Sequence, residues 1–91
     1  MNEPDRMRQR IASNIRAEVA RTGRKGPALA EPLGLNRSTV YRKLTAQLPF
    51  FGHEIAMIAV FLDVPLTTLF ADVIRSGEGA TPAVGSTLKT P

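Results

Sequence analysis

Arg37, Ser38, Tyr41 and Arg42 stand at i, i+1, i+4 and i+5 within the run ALAEPLGLNRSTVYRKL, residues 28–44. On a helix this spacing puts two guanidinium forks and two hydroxyls on one side. Such a group recognises by hydrogen bonding. Arg can give two parallel N–H bonds to guanine O6 and N7, and Ser and Tyr hydroxyls reach base edges or phosphates. Val40 and Leu44 are four apart and lie on the other side, so the helix has an apolar back and a polar front. The same pattern also fits an arm of an amphipathic hairpin in any small α domain, with its charges merely solvated.

Residues for bond-making chemistry are scarce. The chain has no Cys and a single His, which removes thiolate catalysis, a disulfide framework and zinc-finger ligation. His53-Glu54-Ile55-Ala56-Met57 opens like the H-E-x-x-H of zinc proteases, but Met57 stands where the second His belongs. One imidazole cannot supply the usual three protein ligands of a catalytic zinc, ~3 being the norm. The common nucleophile–base pairs are missing. Gly23-Arg24-Lys25-Gly26 lacks the spacing and the preceding strand of a phosphate-cradling loop. The expectation is a protein that is not an enzyme, with no cofactor, no metal and no small-molecule substrate.

The elements that must position the polar face follow from apolar spacing and turn residues. Leu29, Ala30 and Leu33 give a short helix that Pro27 opens. Gly34 supplies a left-handed end, Leu35 anchors the turn, and Asn36 is the N-cap of the next helix. Pro32, late in the first of these helices, is expected to remove one backbone donor and distort the last turn. Upstream, Met7, Ile11, Ile15 and Val19, widened by Ala12, predict a helix from Arg6 to Thr22 capped by Asp5. The third helix runs from Arg37 to about Leu44. No residue after it enforces a left-handed stop, since Thr45-Ala46-Gln47 follows. A fourth helix spans His53 to Leu62, with Ile55, Ile58, Ala59 and Leu62 inward and apolar residues on the other faces too. Asp63 takes a left-handed position. Pro65 opens a fifth helix with Leu66, Leu69, Phe70 and Val73 inward.

Residues 1–75 therefore read as one all-α domain, and residues 76–91, SGEGATPAVGSTLKTP, as a disordered tail. No apolar run is long enough to span a membrane, which takes about 20 residues, and the N-terminus has no apolar signal-peptide core. Net charge is +4, unevenly placed. Residues 1–44 hold ten Lys or Arg against four acids, a balance of +6, and residues 45–91 balance at −2. A basic half containing the polar helix face suits a phosphate backbone, whose counterions are released on neutralisation.

The run LAEPLGLNRSTVYRKL, with Pro49-Phe50 and IAMIAVFLDVPLTTLF from Ile55 to Phe70, resembles the lambda-repressor-like (XRE, Cro-type) helix-turn-helix family. The resemblance implies a five-helix bundle whose third helix reads the major groove. It assigns base reading to Arg37, Ser38, Tyr41 and Arg42, and backbone contacts to Arg24, Lys25, Asn36, Thr39 and Lys43. Gly26 departs from it, standing where the family often has a phosphate-contacting Gln. The implied function is a sequence-specific transcriptional regulator in the cytoplasm, like a phage-type Cro or immunity repressor, acting on double-stranded DNA by blocking a promoter. A homodimer is implied, with Met57, Val60, Phe50 and Phe51 as interface candidates. The alternative is a protein-interaction module, or an antitoxin of the same fold.

Overall fold

The structure, a computed structural model, describes residues 2–74. Along them run α1 (Glu3–Arg21), a 3₁₀ turn (Gly26–Leu29), α2 (Ala30–Leu33), α3 (Arg37–Leu44), α4 (Gly52–Leu62) and α5 (Leu66–Leu69). Over the described residues the fold is all-α with five α-helices, as the spacing predicts. The expected tail at 76–91 lies outside the described residues.

α1 begins earlier than expected. Asn2, not Asp5, is the N-cap, and its side chain accepts from the Asp5 N–H at 2.9 Å. Pro4 fits that first turn because the N–H it lacks would have no intrahelical acceptor there. Ala12, Ile15 and Val19 are buried along α1, and Ile15 and Val19 meet Leu29, Val40, Ile55, Ile58, Leu62 and Leu69 in one core. Full burial of side chains of this size stabilises by about 1.5–3 kcal/mol each. This packing holds α2 to α5, each of which is too short to persist alone.

The second helix absorbs Pro32 without the distortion expected of its last turn. The segment starts as a 3₁₀ turn, with the Ala28 N–H on the Lys25 carbonyl at 2.9 Å, and becomes α-helical only at Ala30. Pro32 is then the third residue of α2, among the positions whose N–H has no intrahelical partner. Gly34 closes the helix at φ 67°, and the Leu35 N–H donates to the Ala30 carbonyl at 2.9 Å.

α5 corrects a second expectation. Leu69 and Val73 are buried, but Leu66 is 46% and Phe70 40% exposed. The helix ends after four residues, so Phe70 caps it instead of continuing the inner stripe. Asn14 of α1, which the apolar pattern does not single out, donates its amide to the carbonyls of Leu69 at 3.0 Å and Ala71 at 2.8 Å. It thereby fixes the end of α5 against α1.

A left-handed stop does terminate α3, and Ala46 makes it at φ 64°. The Ala46 N–H donates to Lys43 O at 3.2 Å and the Gln47 N–H to Arg42 O at 2.8 Å. That pair of bonds is the Schellman arrangement usually built on Gly. Left-handed backbone costs a residue with a Cβ about 1–2 kcal/mol. Ala46→Gly is therefore expected to raise stability by roughly 1 kcal/mol, part of the relief being offset by greater freedom of the unfolded chain. Urea denaturation checks this, and an unchanged or lower midpoint contradicts it.

Candidate nucleic-acid interface

α3 is an eight-residue helix with a sharp division between its sides. Val40, Lys43 and Leu44 are buried, and Arg37, Ser38, Tyr41 and Arg42 are exposed, Tyr41 by 63%. Asn36 caps the helix as expected, its side-chain oxygen accepting the Thr39 N–H at 2.7 Å. Among the described residues no hydrogen bond, ion pair or ring contact occupies the four exposed side chains. Two guanidinium groups and two hydroxyls thus stand together with their donors unused. Thr39 is half-buried beside them.

The turn before α2 lies against α3, with Gly26 at the contact. A Cβ at that position would come within 2.7 Å of the Leu44 side chain, so the lack of a side chain permits the close approach. This gives a packing reason for Gly where the resemblance leads one to expect Gln. Arg24 and Lys25, just before the turn, are both exposed. The Arg24 guanidinium lies 4.7 Å from the centre of the Phe61 ring, which orients it by a cation–π contact.

Lys43 leaves the expected set of backbone contacts. Its side chain is buried, and its Nζ donates to Glu54 Oε1 at 2.7 Å and to the Pro49 carbonyl at 3.0 Å. The ammonium also sits 4.2 Å from the centre of the Phe51 ring. Glu54 Oε1 accepts in addition from the Phe51 N–H at 2.8 Å, which caps α4. Nothing local in the sequence marks the pair. Lys43 and Glu54 are eleven residues apart, and neither has an apolar-spacing signature. The available signal was positional, since Lys43 falls beside Val40 and Leu44 on the inner side of α3.

The apolar interface candidates also separate. Met57 and Val60, 40% and 82% exposed, line a hollow of about 440 Å³ with Pro32, Ala56 and Phe61. Phe50 instead packs on the core and lines a different hollow with Met7 and Ile11. Phe51, 56% exposed, stacks near His53 and covers Lys43. Lys43 bonds the Pro49 carbonyl in the loop between α3 and α4 that carries Phe50 and Phe51. The four candidates do not line one hollow together.

Burial raises the pKa of the Glu54 carboxyl, but the hydrogen bond from Lys43, the Phe51 N–H and the nearby positive charges outweigh it. The net result lies below the ordinary Glu value. A carboxylate whose pKa is depressed by folding stabilises the fold above its unfolded pKa, about 4.3, and loses that contribution as pH falls through the folded value. Stability is therefore expected to fall below about pH 4.3, and less steeply in Glu54→Gln than in the native chain. At neutral pH the same substitution leaves Lys43 buried and uncompensated, and is expected to cost about 3 kcal/mol. Urea denaturation across that pH range measures both. Equal stability of the two chains at neutral pH contradicts the Lys43–Glu54 pairing.

None of the described helices is long and apolar enough to cross a membrane. Among the described residues no group of three or more His, Cys, Asp or Glu could hold a metal. The family model described as BetR domain matches residues 5–90. No curated protein and no solved structure matches the chain.

Proposed function

The chain belongs to the BetR domain family, and from that premise we propose that it is a non-catalytic, sequence-specific DNA-binding regulator whose α3 enters the major groove. The observation that carries this reading is the outward face of α3, where Arg37, Ser38, Tyr41 and Arg42 are exposed together with unused donors. An α-helix with its side chains is about 10–12 Å across, and the major groove is about 12 Å wide and accepts one. Arg37 and Arg42 read base edges. Arg24 and Lys25 meet phosphates beside the groove, with the Asn36 amide and Thr39 as polar neighbours. The finer assignment is to a lambda-repressor-like, Cro-type repressor of the phage or immunity class, working in the cytoplasm by covering a promoter. It rests on the resemblance to that family, and covering a promoter is carried over by analogy.

Pairing of two copies completes this reading. One eight-residue helix contacts few base pairs, and helix-turn-helix domains gain affinity on half-sites about 34–36 Å apart. Met57, Val60, Pro32 and Phe61 form the hollow that a second copy would fill. The same hollow supports the alternative of a protein-interaction module or antitoxin, in which helix α4 holds a partner protein. Exposed apolar patches mark either kind of interface.

Arg37→Ala or Arg42→Ala is expected to weaken binding to the preferred duplex by about 1–3 kcal/mol and to relax preference at one base position. Arg24→Ala or Lys25→Ala is expected to weaken preferred and random duplexes alike. Anisotropy titrations on both duplexes decide the matter, and uniform losses from the α3 variants contradict base reading. Sedimentation with a palindromic duplex tests pairing. The native chain is expected to bind as two copies and Val60→Glu as one, whereas a native chain that saturates one half-site at full affinity as a monomer contradicts the dimer.

A further inference from the structure

α1 carries a second group of cations that the α3 face does not use. Arg6, Arg10, Ser13 and Arg16 lie on one side of that helix, at i, i+4, i+7 and i+10. With Thr45 and Ala46, just past α3, they line a groove of about 570 Å³ whose walls include no acidic residue. Arg16 joins the two elements by donating to the Leu44 carbonyl at the end of α3. Arg6 is tied to Glu3 and to the Val73 carbonyl. Arg10 is exposed and, among the described residues, has no hydrogen bond or ion pair.

The position of this groove relative to α3 indicates what it meets. The major groove is about 8.5 Å deep, and α3, with eight residues, is about 12 Å long. If the N-terminal end of α3 points at the base edges, its C-terminal end emerges at the level of the phosphates. Thr45 and Ala46 stand at that end, Thr45 on the same side as Ser38 and Arg42, at i+7 and i+3. A cationic groove at that level, without acidic walls, suits a row of phosphodiesters.

We propose that this groove is a second, sequence-independent contact with the phosphate backbone of duplex DNA, in which Arg10 pairs with a phosphate and Ser13 supplies a hydroxyl donor. The proposal rests on the reading of α3 as the major-groove helix. It adds residues from α1 to the expected backbone set and continues the positive surface past the end of α3.

The test is a salt titration of binding by the full chain to its preferred duplex and to a random duplex. Each neutralised phosphate contributes about 0.9 to the slope of log K against log salt. Arg10→Gln is expected to flatten the slope by about one unit on both duplexes and leave the ratio of their affinities unchanged. Arg10→Lys keeps the native slope, and Ser13→Asp weakens both duplexes alike. Arg8→Gln removes an arginine that pairs with Asp5 outside the groove, and it keeps the native slope. An unchanged slope in Arg10→Gln, a changed affinity ratio, or an equal loss in Arg8→Gln overturns the proposal while leaving DNA binding intact. A native chain that binds neither duplex overturns the DNA-binding reading and this proposal with it.

Discussion

An eight-residue helix does not persist in water by itself, since isolated helices shorter than about 12–15 residues are marginal. α3 is held in place by groups that are not on its outward face. Foremost in connecting α3 to other elements is the buried ion pair between Lys43 and Glu54, 2.7 Å long with each side chain 5% exposed. Removing two charges from water is costly, and the attraction between them offsets that only when the remaining donors and acceptors are satisfied. Here they are well partnered, because Lys43 also bonds the Pro49 carbonyl and Glu54 also receives the Phe51 N–H. One carboxylate therefore caps α4, closes the loop before it and pins the last turn of α3. An apolar pair of equal size could pack as tightly, but it could not fix those three elements at once.

The outward face gains its rigidity from these inward contacts. Asn36 orders the first turn of α3, Val40 and Leu44 anchor its middle and end, and Arg16 takes up a carbonyl its last turn leaves open. Arg37, Ser38, Tyr41 and Arg42 are then displayed from a fixed backbone, so less ordering is required when they meet a ligand. α4 has the opposite character. Its inner side is core and its outer side remains apolar at Met57 and Val60.

The chain declares much of this in advance, and where it does not the reasons are physical. The α1 and α4 stripes are visible because Ile, Val and Leu recur at helical spacing, and Gly34 and Asn36 mark a turn by backbone preference and capping chemistry. Ala46 marks nothing, since an alanine side chain gives no preference for the left-handed conformation it adopts at the end of α3. Lys43 looks like any surface cation until its partner eleven residues away is brought beside it. Asn14 is similar, because a side chain that serves distant carbonyls leaves no local pattern. The outward residues of α3 were legible as a group because their spacing alone places them on one side. Their role depends on what they meet, which spacing cannot supply.

The most direct measurement of that role is a map of backbone amide shifts by nuclear magnetic resonance as a duplex carrying the preferred site is added to the full chain. The largest changes are expected on Arg37 to Arg42 and on the Arg24–Gly26 turn. Ile55, Ile58 and Leu62, in the core beneath, should move little. Changes centred instead on Ala56 to Phe61, with the α3 amides unmoved, would contradict that role and identify the apolar face of α4 as the working surface.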